Sequence, residues 1–139
     1  MAQVEGIYRW PYDGAYRPSG TALIVIDMQA DYLDPHGWFA RGGGDWRPLA
    51  AIVPPVARVL AAARAAGLFI VHTVEGHRAD LSDLPPNKAW RADRIGAPIG
   101  ALGPLGRALI LGEAGTRPVA ALSPLAGEPV VEKPVKSGF

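Results

Sequence analysis

Cysteine is absent from all 139 residues. That excludes disulfides, thiolate metal sites and a cysteine nucleophile drawn from within these residues. Long apolar runs are absent too. None approaches the roughly 20 residues that a membrane-spanning helix needs, so no membrane role is expected. Neither sign of charge dominates: 14 Lys and Arg stand against 13 Asp and Glu, for a net charge of +1. Without a basic block or an acidic tail, no nucleic acid and no strongly charged partner is expected. The opening MAQVEGIYRWPYDGAYRP has no cationic start followed by an apolar stretch. It does not read as a secretory leader, and a cytoplasmic location is expected.

What is present suits one folded α/β domain, with about half the residues apolar and 19% charged. Residues 1–20 are rich in Tyr, Pro and Gly without periodicity, and are expected to form an arm anchored by Trp10, Tyr12 and Tyr16. The domain proper is expected over residues 21–139. Thr21 to Ile26 is an unbroken aliphatic and β-branched run, as in a parallel strand buried on both faces. Pro48 to Ala66 carries Ile52, Val56, Val59, Leu60 and Ala63 at helical spacing. Pro54 and Pro55 suit the first turn of a helix, and Gly67 suits its stop. Leu68 to Val74 is the second strand. Strand, helix and strand in this order imply a right-handed parallel unit. Residues 75–118 read as a long loop with short elements of its own, among them a short strand at Ala108–Leu111. A helical turn at Pro118–Leu122 and a last strand at Pro129–Glu132, followed by Lys133, complete the reading.

Parallel sheets place ligands at the carboxyl ends of their strands, and two chemically capable residues fall at such ends. Asp27 follows the first strand and is a candidate general base; a turn-capping role is the alternative. Lys133 follows the last strand. Projecting into the same crevice, its ammonium would pair with Asp27 and favour a thiolate nearby; a surface lysine, like Lys136, is the alternative. Glu75, His77 and Arg78 after the second strand, and Trp38 and Phe39 in the loop after the first, are candidate substrate-binding residues. The His72 and His77 pair, with Glu75 between them, has no further ligand at workable spacing, so no metal site is expected.

The stretch Ala22-Leu-Ile-Val-Ile-Asp-Met-Gln29 resembles the opening strand of the isochorismatase-like cysteine hydrolases, where it ends in the catalytic aspartate. Val130-Val-Glu-Lys-Pro-Val-Lys-Ser-Gly-Phe139 is similar to the family's second element, a strand ending in the catalytic lysine. His72 to Pro85 and Gly127 to Val131 resemble the branch acting on ureido-type amides, such as biuret hydrolases and ureidoacrylate amidohydrolases.

The resemblance implies an Asp-Lys-Cys triad with Asp27 and Lys133 in the first two roles, no cofactor, and a small amide substrate. It implies a Rossmann-like three-layer fold with a six-stranded sheet of order 3-2-1-4-5-6. The cysteine and the C-terminal strands and helices are expected beyond Phe139. The domain is therefore expected to be incomplete, with the outer edge of its first strand uncovered. Its partner would be a C-terminal complement or a second copy of itself. The alternative is a catalytically inactive chain serving as an oligomeric or binding module. Nicotinamide-type amides are disfavoured, because the Asp and His metal set of those members cannot be assembled here.

Overall fold

The computed structural model describes residues 15–137. Trp10 and Tyr12 lie outside the described residues. Tyr16 does not act as an anchor: it is 44% exposed, in an open segment leading into a 3-10 turn at Pro18–Gly20.

Among the described residues, five strands and five α-helices follow. Strand β1 (Ala22–Ile26) leads into the one-turn helices α1 (Ala30–Leu33) and α2 (Trp38–Arg41), then α3 (Arg47–Ala51) and α4 (Val53–Ala65). Strand β2 (Phe69–Glu75) is followed by α5 (Pro86–Arg94), the two-residue strands β3 (Leu102–Gly103) and β4 (Gly106–Arg107), a 3-10 turn at Ala120–Leu122, and β5 (Val130–Lys133). The main sheet is parallel throughout, in the spatial order β1-β2-β5. The parallel unit read from the sequence is therefore present, and among the described residues β1 lies at one edge of the sheet.

The helix expected over Pro48–Ala66 is two helices, broken at Ile52. Pro54 and Pro55 fall in the first turn of α4, where the missing N–H would have had no partner. At the far end, Gly67 (φ +73°) donates to Arg64 O and Leu68 donates to Ala63 O. This pair of bonds is the left-handed glycine stop that the sequence signalled. By length and composition Arg47–Ala65 would suffice to cross a membrane. Its apolar residues Leu49, Val53, Val56, Ala57, Leu60 and Ala63 instead pack into a core with Val25, Met28, Leu33, Ile70 and Leu122.

That core occupies one face of the sheet. The register sets Leu23 beside Ile70 and Ile26 beside Thr73, so residues two apart along each strand share a face. The opposite face carries Ile24, Ile26, Phe69 and Val131, exposed at 47, 59, 60 and 46%. Burial of β1 on both faces, expected from its unbroken apolar run, is thus not met among the described residues. Of the three layers expected, they form the sheet and one helical layer.

The long segment after β2 is more ordered than a loop. Ala108–Leu111 is not a strand: only Ile110 bridges to His77, with His77 N–H donating to Leu109 O and Leu111 N–H to His77 O. A second apolar cluster, Ala92, Ile99 and Leu109 with Tyr32, Trp38, Leu81 and Leu84, joins α5 to the loop after β1. It holds these segments over the carboxyl ends of the strands.

Candidate active site

Three residues reach the site by strand alternation. Glu75 stands opposite Lys133 and Thr73 opposite Val131, which puts Thr73, Glu75 and Lys133 on the open face. Alternation alone would send Asp27 to the α4 face. Its backbone departs from the strand, with φ +51°, a left-handed conformation that Asp tolerates better than most residues. The turn swings the carboxylate to the open face. There Oδ1 accepts from the Thr73 hydroxyl at 2.6 Å and Oδ2 from Lys133 Nζ at 2.6 Å. Asp27 and Lys133, 106 residues apart, thus form one ion pair with side chains 18% and 6% exposed. The remaining N–H groups of Lys133 go to Val135 O at 3.0 Å and Lys136 O at 3.3 Å.

Glu75 is not beyond the second strand but its last residue, and it is 2% exposed. Its backbone is clamped by Gln29, itself fully buried: Gln29 Nε2 donates to Glu75 O at 2.8 Å and Oε1 accepts from Glu75 N–H at 2.7 Å. The amide thereby continues the ladder beyond the end of β1. The Glu75 carboxylate meets three ammonium groups. Lys88 Nζ is 2.6 Å from Oε1, and Lys136 Nζ and Lys133 Nζ lie 3.6 and 4.0 Å from Oε2. The Lys88 contact approaches Oε1 outside good hydrogen-bond geometry and is held by charge. Burial would raise the Glu75 pKa, but Lys88, the Tyr32 hydroxyl beside it and Lys136 outweigh burial and hold it below its ordinary value. Burial and the neighbouring carboxylates push the Tyr32 phenol well up.

His77 is fully buried, with Nε2 2.7 Å from Lys88 Nζ and Nδ1 3.2 Å from Asp83 Oδ1. Lys88 has only N–H groups to offer, so Nε2 is the acceptor and Nδ1 carries the proton. Burial, then the Lys88 charge, lower the His77 pKa against the opposing pull of Asp83. The neutral imidazole is therefore a relay in the scaffold. It connects the end of β2 to α5 and to the Asp83 loop.

The other expected binding residues divide. Trp38 borders the site: Lys136 Nζ lies 5.9 Å from its ring centroid, Nε1 donates to Ala97 O at 2.7 Å, and Tyr32 packs edge-on against it. Phe39 turns away, its ring against Gly44, where a Cβ would lie 2.5 Å from ring carbons. Arg78 is exposed and takes part through its backbone N–H, which donates to Asp83. His72 is buried in the middle of β2 with Nε2 3.0 Å from Glu128 Oε2.

Sequence reasoning missed Thr73, Lys88 and the clamp made by Gln29. Lys88 carried a usable signal. It lies four residues before Ala92, both are buried, and a lysine on the apolar stripe of a helix needs a buried acceptor.

The buried groups set a sign for pH dependence. His77 and Glu128 both have folded-state pKa values below their ordinary 6.5 and 4.5, Glu128 at about 2 through its Arg64 pair. A depressed folded value means that the unfolded chain binds protons first, so stability falls as pH falls. Thermal melts are expected to fall with pH below 6.5. They should decline first as His77 is called on to protonate, then more steeply between pH 4.5 and about 2. Asp31, raised by burial, works in the opposite direction and softens the last part of the decline.

A parallel α/β sheet with a carboxylate and an ammonium converging at its strand ends defines the Rossmann-like class of this domain. The isochorismatase domain matches over residues 21–139, and the chain belongs to that family. It is similar to the ureidoacrylate amidohydrolase of Serratia proteamaculans, at 32% identity over 133 residues, covering 90% of this chain and 52% of that protein. The Yersinia enterocolitica enzyme of the same name is also 32% identical, with 90% of this chain and 56% of that protein covered. A crystal structure of an isochorismatase family protein from Desulfovibrio vulgaris matches with TM-score 0.59 and 32% identity, over 82% of this chain and 52% of the other. A cysteine hydrolase from Pseudomonas syringae matches with TM-score 0.65 and 25% identity, over 98% and 55%. The chain spans about half the length of the relatives it matches.

Proposed function

We propose that these residues supply the acid–base half of a cysteine hydrolase site that cleaves small linear amides. One observation carries the reading. Asp27 and Lys133, named from separate motifs, lie 2.6 Å apart at the carboxyl end of the sheet, beside an open face. Sulfur comes from outside these 139 residues, since they contain no cysteine.

Asp27 takes the proton of that thiol, and the Lys133 charge stabilises the thiolate. The thiolate adds to the amide carbonyl. As the C–N bond breaks, Asp27 returns the proton to the departing nitrogen, which leaves as ammonia or an amine. Water, deprotonated by Asp27, then cleaves the thioester, releasing the acid and restoring the thiol. Ureido amides such as biuret or ureidoacrylate lead as substrates, because the named relatives are ureidoacrylate amidohydrolases.

The exposed Ile24, Ile26, Phe69 and Val131 support the second part of the proposal, that a complement covers this face and brings the thiol with it. The complement is either the part of the relatives' length that has no counterpart here or a second chain. A non-catalytic oligomeric module is the other reading that such a face supports.

The test is ammonia release from biuret and ureidoacrylate by protein purified from its own source with whatever accompanies it. Intact-mass measurement identifies every polypeptide present. Turnover abolished by iodoacetamide is expected. Turnover by the 139 residues alone would refute the thiol mechanism, and no turnover by any thiol-bearing assembly would favour the oligomeric module.

A further inference from the structure

Glu75 presents a difficulty for the Asp27–Lys133 pair. It is a carboxylate 2% exposed with one oxygen 4.0 Å from Lys133 Nζ, whereas the Asp27 side chain is 18% exposed. A buried carboxylate gains more from an ammonium partner than a half-hydrated one, because water offers it less. Left to itself, Glu75 would draw Lys133 away from Asp27. Lys88 meets this demand. Its ammonium, buried at 7% exposure, sits 2.6 Å from Glu75 Oε1, 2.7 Å from His77 Nε2 and 2.7 Å from Pro134 O. His77 Nε2 and Pro134 O accept its N–H groups, and the Glu75 contact is an ion pair held by charge. Pro134 O is the carbonyl of the residue after Lys133, so Lys88 also fixes the turn from which the Lys133 side chain springs.

We infer that Lys88 is a positioning residue for the acid–base pair: by neutralising Glu75 and holding the Pro134 carbonyl, it leaves Lys133 to Asp27. Lys136 does not replace it. That ammonium is 65% exposed, 3.6 Å from Glu75, and remains in water above the Trp38 ring. The same arrangement explains why a lysine occupies the buried side of a short helix. Asp83 completes it by orienting His77 so that its unprotonated nitrogen faces Lys88.

The inference rests on Asp27 and Lys133 being the reacting pair, but its test reads atomic positions rather than turnover, so the two fail separately. Crystal structures of Lys88→Met and of the double variant Lys88→Met/Glu75→Gln are compared with that of the unaltered chain. In the single variant Lys133 Nζ is expected to leave Asp27 and move into contact with Glu75, a shift of about 1 Å or more. In the double variant the competing charge is gone, and Lys133 is expected back within hydrogen-bond distance of Asp27. Should Lys88→Met fail to fold, Lys88→Gln, which can still donate to Pro134 O, carries the same comparison. Lys133 remaining on Asp27 in the single variant would overturn the inference. So would displacement that the double variant does not reverse, because packing alone would then explain Lys88.

Discussion

Asp27→Asn is expected to lower turnover of ureido amides by about 10³-fold, the scale of a lost general acid–base group. Asparagine is close to aspartate in size and still accepts from the Thr73 hydroxyl, which now donates to Oδ1 at 2.6 Å. What it cannot do is take a proton from a thiol or return one to a leaving nitrogen. Substrate affinity is therefore expected to change little while kcat collapses. Lys133→Met should cost a similar factor for a different reason. The carboxylate remains, but the ammonium 2.6 Å away that would share its field with a thiolate is gone. Steady-state kinetics on both variants checks this. Retention of more than a tenth of normal kcat by Asp27→Asn would remove the aspartate from the mechanism.

The second large effect concerns stability at a point away from the site. Glu128 accepts from Arg64 through both oxygens, at 2.7 and 2.8 Å, and also from Leu125 N–H at 2.9 Å, with His72 Nε2 3.0 Å away. It thereby joins the end of α4, the middle of β2 and the turn before β5. The Glu128 side chain is 11% exposed and that of Arg64 24%, so water compensates only partly for a lost contact. Glu128→Gln keeps the shape but not the charge, and is expected to cost about 2 kcal/mol, as for a charge-assisted hydrogen bond. In a domain of this size that lowers Tm by roughly 8 °C. The contrast is Asp45, paired with Arg47 where both side chains are more than 60% exposed. Asp45→Asn is expected to shift Tm by no more than about 4 °C, since exposed pairs contribute about 0–1 kcal/mol. Equal effects from the two substitutions, read by calorimetry, would contradict this ranking.

Much of this was legible in the sequence, for reasons that differ by element. The unbroken run of β1, the glycine stop of α4 and the apolar start of β2 are local patterns, and each was found within a residue or two. The stripe of α4 was read only in part, since Ile52 and Val59 are exposed. Asp27 and Lys133 were legible because motif order tied each to a strand end, although no local feature said that they would touch. Their meeting depends on the parallel register and on the left-handed turn at Asp27, neither of which a single segment reveals.

Other features were hidden for the same reason. Lys88 looked like one more polar residue in a long loop, and only the packing of α5 makes it a buried ion. Phe39 looked suitable for an apolar wall, but the Gly42–Gly44 turn gave it a closer surface. Apolar composition suggested that β1 is covered on both faces. Yet composition records the capacity for burial and not the occupant, and here Ile24 and Ile26 are open.

The most direct measurement of the acid–base pair and its missing sulfur is a crystal structure of the assembly that turns over substrate. A cysteine Sγ within about 4 Å of Asp27 Oδ and Lys133 Nζ is the predicted result, at the distance where a lysine or aspartate alters a neighbouring thiol. An active assembly in which no thiol approaches either group would contradict the account.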